Sequence, residues 1–171
     1  MRITTSIPGE ISANTMTTII KTIEVTIPIK TAFDLFVNKL TLWWPQEYTW
    51  SKDKLVELVI DPIPHGLCTE IGPNGFRCDW GTVMEVEQGK RFAFKWQISA
   101  SRVPEPDANK ASEVYILFEQ PAPGATRIQL THGKFENHGN NYTAYRDAMA
   151  SEQGWPYILS AFASYAVKSA H

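Results

Sequence analysis

The end of the chain constrains the fold most. Residues 126–134 alternate as a strand and close on Thr131-His132-Gly133. A polar link then leads to Gly154-Trp155-Pro156 and a helical pattern running to about Lys168. Trp155, Ile158, Leu159, Phe162 and Ala166 recur there at helical spacing. Strands with one apolar face need a cover, and a long amphipathic helix at the end of the chain is the natural one. The expected class is α+β, a curved antiparallel sheet closed over a C-terminal helix, with room for a cavity between the two. Pro156 belongs in the first turn of that helix, where its missing N–H costs nothing, with Gly154 as the cap. Residues 142–151 then form a separate short helix, or one kinked near Gly154.

The earlier chain supplies the strands. Ile23, Val25 and Ile27 alternate with Thr22, Glu24 and Thr26 as a half-buried strand. Pro28 stops it, and a helix follows over about 30–38, with Phe33, Phe36 and Val37 as its stripe. Residues 41–50 hold Trp43, Trp44, Tyr48 and Trp50 around Pro45. Residues 55–60 form a short apolar run. Residues 67–71 and 76–86 flank Gly72-Pro73-Asn74-Gly75, a hairpin signal. Further strands are expected over 91–98 and 113–120, joined by a loop that carries Pro104 and Pro106, and 121–124 turns the chain into the last strand. Phe92, Phe94, Trp96 and Ile98 share one face, with Val114, Ile116, Phe118, Ile128, Leu130 and His132 on the same side of the neighbouring strands. The opposite face reads as largely wet.

Composition excludes several partners. The chain has 171 residues and a net charge of −2, without a basic block, so no nucleic acid or anionic membrane has an electrostatic footprint here. No apolar run reaches the length of a transmembrane helix. The first 18 residues are poor in large apolar side chains and read as a disordered lead, with Met16 a candidate start. Residues 19–168 then make a single domain, and without a secretory signal a cytoplasmic location is expected.

Three segments carry a family resemblance: IEVTIPIKTAFDLFVNKLTLWWP (23–45), DWGTVMEVEQGKRFAFKW (79–96), and TRIQLTHGKF (126–135) followed by GWPYIL (154–159). In this order they resemble the START-like, or SRPBCC, helix-grip superfamily. The nearest branch is the one named after the activator of the heat-shock-protein-90 ATPase, Aha-like for short. The resemblance implies a helix-grip fold with a cavity and no single activity, since its members include lipid and hormone carriers, polyketide cyclases and chaperone cofactors. Gln88-Gly89 replaces the branch's usual Pro-Pro turn, and the stretches 99–112 and 137–147 are long, which bears on the cavity mouth.

The candidate ligand-binding residues are Trp44, Trp50, Trp80, Thr82, Phe94, Trp96, Phe118, His132, Phe135 and Trp155. Large aromatics mostly fill cores, yet this many tryptophans around one cavity suit a flat hydrophobic ligand with a polar end. His132 is the best single polar group: inward by parity, it is either a core histidine bonded to a backbone carbonyl or a Trp or Tyr group, or a ligand contact, or an acid–base group. Thr82 shares parity with Trp80, Met84 and Val86 and reads as a second inward polar group. Glu70, Arg77 and Asp79 read as an exposed charged set at the rim. Cys78 reads as inward and Cys68 as outward, so both are expected to be free thiols. His65, His132 and His138 lack zinc spacing, and there is no phosphate loop or nucleophile elbow, so neither cofactor nor metal is expected.

The resulting expectation is binding of a small hydrophobic or aromatic molecule between sheet and helix. The alternatives are a cyclase- or dehydratase-type enzyme using the same cavity, and a cochaperone-like domain that binds protein through its surface. The sequence leaves homodimerisation through an outer face or edge strand open.

Overall fold

The computed structural model describes residues 18–169; the disordered lead and the start at Met16 expected from the sequence lie outside them, apart from Thr18. The elements run β1 (Ile19–Val25), α1 (Ile29–Asn38), α2 (Leu40–Trp43), β2 (Glu57–Ile60), β3 (Leu67–Ile71), β4 (Arg77–Glu87), β5 (Arg91–Trp96), β6 (Ser112–Ala122), β7 (Ala125–Gly133), α3 (Tyr142–Ala150) and α4 (Trp155–Ser169). The strands form one antiparallel seven-stranded sheet in the order β1-β7-β6-β5-β4-β3-β2. The sheet curls into a half-barrel around the C-terminal helix, the helix-grip fold.

Alternation in the sequence accounts for the core. Phe92, Phe94 and Trp96 of β5 face Val114, Ile116 and Phe118 of β6 and Ile128, Leu130 and His132 of β7, all buried. From the other side come Phe33 and Phe36 of α1 and Trp155, Ile158, Leu159, Phe162 and Ala166 of α4. Phe36 meets both Phe118 and Phe162, so α1 bridges sheet and helix. Each such fully buried large side chain contributes roughly 1.5–3 kcal/mol of transfer free energy. α3 and α4 are separate helices, and Pro156 sits in the first turn of α4 just after Gly154.

Several local expectations need correction. β4 carries two bulges. Cys68 pairs with Gly81 and Thr69 with Asp79, leaving Trp80 as the extra residue; further on, Val83 pairs with Phe94 and Glu85 with Ala93, leaving out Met84. A bulge inverts the parity of everything beyond it. Thr82 therefore pairs with Lys95 on the outer face and donates to Gln97 Oε1 at 2.6 Å, pointing away from the core. Cys68, expected outward, is fully buried in the core, whereas Leu67 beside it is exposed. Both thiols are free, and burial, with the Asp79 charge second, raises the Cys68 pKa.

The outer face is drier than expected at one end. Gln97 is buried because the chain after β5 folds back on it: Gln97 Nε2 donates to Glu105 O, and Ile98 forms a bridge with Pro104. β6 also runs through Pro121 to Ala122, so the turn into β7 is only Pro123-Gly124.

Candidate functional site

Adjacent strands bring Trp80 and Trp96 together on the concave face, ring centroids 6.0 Å apart. Trp44 completes the group. It follows α2 in an extended backbone that separates it from Trp43. Trp43 turns into the core, its indole bonded to Leu35 O, while Trp44 lies near-parallel to Trp80 at 6.4 Å and 27° and meets Trp96 at 6.4 Å. The Trp96 ring is held by its own N–H, which donates to Tyr145 Oη at 2.7 Å; Tyr145 in turn donates to Ile98 O. Burial first of all raises the Tyr145 pKa to about 12, so it remains a neutral donor.

These indoles wall an inner cleft of about 30 Å³, whose floor includes Leu58, Met149 and Ile158. That is room for a water molecule or two. The cleft shares Tyr48, Thr49, Trp50, Ile98 and Arg102 with an outer vestibule of about 390 Å³.

Three connecting segments meet at the mouth. Trp50 Nε1 donates to Arg102 O at 2.9 Å, and the Arg102 guanidinium lies 5.9 Å from the Tyr48 ring centroid. Tyr48 Oη donates to Gln153 O at 2.7 Å, and Tyr157 Oη donates to Glu47 Oε2. Glu70 anchors the Trp50 segment from below. Its carboxylate accepts from Trp50 N at 3.1 Å, Ser51 N at 2.8 Å and Ser51 Oγ at 2.7 Å. The expected rim set is therefore divided: Arg77 pairs with Asp79 at the surface, but Glu70 is 1% exposed and faces the cleft. Glu70→Ala leaves those donors without their acceptor and is expected to cost about 2 kcal/mol. Hydrogen exchange should show the loss concentrated in residues 45–56; unchanged protection there would refute the anchoring role.

Of the ten sequence candidates, Trp44, Trp50, Trp80 and Trp96 line the cleft. Phe94 edges against Trp80 behind the wall, and Phe118 packs under α1 against Phe33. His132, Phe135 and Trp155 form a second cluster in the core, and Thr82 stands on the outer face.

The surroundings of His132 define its state. Trp155 Nε1 donates to His132 Nδ1 at 2.9 Å, and an indole can only donate. His132 Nδ1 is thus unprotonated, and Nε2–H donates to Ser112 Oγ at 2.7 Å. The Ser112 hydroxyl, with its own N–H, donates to His138 Nε2. Burial, then the nearby His138 charge, holds the His132 pKa well below the usual histidine range. Screened by Trp96, Phe135 and Trp155, this neutral imidazole is part of the packing and lies outside the cleft wall.

Residue-by-residue reading missed Glu70 as a cleft residue, along with Arg102, Met149 and Gln153. Arg102 had a signal, the long proline-bearing loop. The others depend on contacts remote in sequence. Among the described residues no group of three metal-binding side chains occurs, and no helix is long and apolar enough to cross a membrane.

The comparisons bear on this geometry. No curated protein matches the sequence. Among solved structures, an anthrahydroquino-gamma-pyrone synthase is 26% identical, with a TM-score of 0.62 over 92% of this chain and 99% of its own. A self-sacrificing resistance protein, CalC from Micromonospora echinospora, is 22% identical with a TM-score of 0.64, covering 91% of this chain and 97% of that one. A protein from Nitrosomonas europaea is 16% identical with a TM-score of 0.65, covering 93% and 99%. The last two bear on the fold alone. The profile of the family described as "Activator of Hsp90 ATPase homolog 1-like protein" matches residues 27–166, and the chain belongs to that family.

Proposed function

We propose that this protein binds a small, flat, hydrophobic or aromatic molecule in the cleft between the sheet and the C-terminal helix. The observation that carries this reading is the group formed by Trp44, Trp80 and Trp96, drawn from two strands and a loop, which walls one cleft below an open vestibule. An aromatic cleft with a few convergent polar groups is the usual form of a small-molecule site. The inner volume is small, so a ring system enters only if a half-buried wall such as Trp44 or Trp50 gives way, while the vestibule takes the remainder.

Native mass spectrometry of the purified protein, solvent extraction of any bound molecule and tryptophan fluorescence titration test this directly. A stoichiometric ligand that quenches fluorescence saturably is expected, with affinity about tenfold weaker for Trp44→Ala, which removes an aromatic contact of the ring. A protein indifferent to a broad hydrophobic panel would instead favour a surface-mediated, protein-binding role.

The likeness to a synthase favours a second reading, chemistry in the same cleft. Glu70 is the carboxylate of the wall, and its oxygens already accept three hydrogen bonds from Trp50 and Ser51. General acid–base work needs a group free to exchange a proton with substrate. Incubation of the extracted ligand with the protein, followed by mass analysis, separates turnover from simple binding.

A further inference from the structure

Two observations at opposite ends of the cleft bear on the ligand's chemistry. At the inner end, Trp80 lines the cleft and is 5% exposed, yet its Nε1 is buried with no acceptor among the described residues. Buried indole N–H groups usually find a partner. Trp43, Trp96 and Trp155 all have one, in Leu35 O, Tyr145 Oη and His132 Nδ1. Trp80 is the exception among these four, and it stands in the wall of the cleft beside Trp96, whose N–H is already satisfied by Tyr145.

At the mouth, Arg102 is held in a left-handed backbone conformation, φ 65°, uncommon for a residue with a side chain. Its carbonyl is occupied by Trp50, while its guanidinium lies over Tyr48 with no carboxylate of the described residues at ion-pair distance. Lys52 adds a second positive charge to the vestibule. Glu47 is the opposing charge there, and its carboxylate is engaged by Tyr157. One net positive charge suits a monoanion, and the planar guanidinium suits a carboxylate. Glu70, buried at the inner cleft, would repel an anion that entered first. The two ends therefore differ in kind, a neutral donor within and a cation without.

Resting on the cleft as the binding site, we propose that its ligand is an aromatic carboxylic acid whose ring system carries an acceptor oxygen. The oxygen, of carbonyl type, meets Trp80 Nε1 at the inner end, and the carboxylate meets Arg102 at the mouth. Trp80 and Arg102 are thus the specificity-determining residues.

Isothermal titration calorimetry with matched probes tests this. The probes are a naphthoquinone carboxylate, its methyl ester, and the corresponding naphthoate, which lacks the quinone oxygens. The wild-type protein should bind the naphthoquinone carboxylate about tenfold more tightly than either of the others. Trp80→Phe should abolish the advantage over naphthoate, weakening the naphthoquinone carboxylate about tenfold more than naphthoate. Arg102→Gln should abolish the advantage over the ester, weakening the carboxylate about tenfold more than the ester. Far-UV circular dichroism and thermal unfolding report that each variant is folded. Equal binding of all probes, an advantage at one end only, or advantages that survive the substitutions would overturn the proposal while leaving the cleft as a binding site. Failure of every probe to bind would overturn both.

Discussion

Gly154→Ala is expected to destabilise the fold by about 3 kcal/mol or more, one of the two largest effects foreseen here. An added Cβ would lie 2.1 Å from Met149 O and 2.7 Å from Ala148 O, both backbone atoms at the end of α3. Backbone cannot rotate away as a side-chain tip can, so the two helices would have to part. Gly154 O also accepts the first hydrogen bond of α4, from Ile158 N, and Gly154 N donates to Ser151 O. A shift there moves Trp155, Met149 and Gln153 together, and the last two line the cleft. Gly124→Ala is the contrasting control. Nothing lies within 4 Å of its Cβ, but its φ of +75° disfavours a side chain, a cost of about 1 kcal/mol. Urea unfolding of both variants checks the comparison, and equal losses would mean that close approach at Gly154 is not the constraint.

Stability is expected to fall steeply on acidification, by about 3 kcal/mol between about pH 7 and about pH 5. His132 and His138 both have lowered pKa values, each mainly through burial. The Glu105 charge partly offsets this at His138. In the unfolded chain a histidine takes up its proton near pH 6.5. The folded state therefore binds fewer protons below that point, and stability is lost as pH falls from there toward the folded-state pKa values. The slope is at most about 1.4 kcal/mol per pH unit for each histidine, and half-buried His138 contributes the smaller share. The structural reason is the relay itself. A second proton on His132 would meet the Trp155 N–H, and one on His138 Nε2 would meet the Ser112 donors. Asp34 and Glu47 also have lowered pKa values, from 3.8 and 4.5, so their effect falls in a more acid range. Unfolding curves across this range, for wild type and His132→Leu, make the test. The variant should be less stable at neutral pH and have a shallower slope; an unchanged slope would sink the assignment to His132.

Family and architecture were legible because both rest on local patterns. Alternation in β5, β6 and β7 placed Phe94, Trp96, Phe118 and His132 inward, and Pro156 after Gly154 marked the start of the last helix. Such signals survive without knowledge of neighbours, since side-chain direction follows from the period of the element itself. The segments quoted for the Aha-like resemblance lie largely within the matched residues 27–166.

The cleft was legible only in part. A single extra residue at Trp80 moved Thr82 to the outer face, and bulges leave no mark in an apolar–polar pattern that tolerates either phase. Cys68 deceived for a related reason: it alternates with Leu67, Thr69 and Ile71, yet it turns inward while Leu67 is exposed. By itself the sequence determined the elements, their order and the aromatic supply of the core. Only the tertiary structure decided which aromatics face free space and which fill it. That choice depends on contacts far apart in the chain: Trp155 on His132, Tyr145 on Trp96, Glu70 on Trp50 and Ser51, Trp50 on Arg102. A hydrogen bond of this kind is made or lost over about an ångström, a precision that residue type and spacing do not encode.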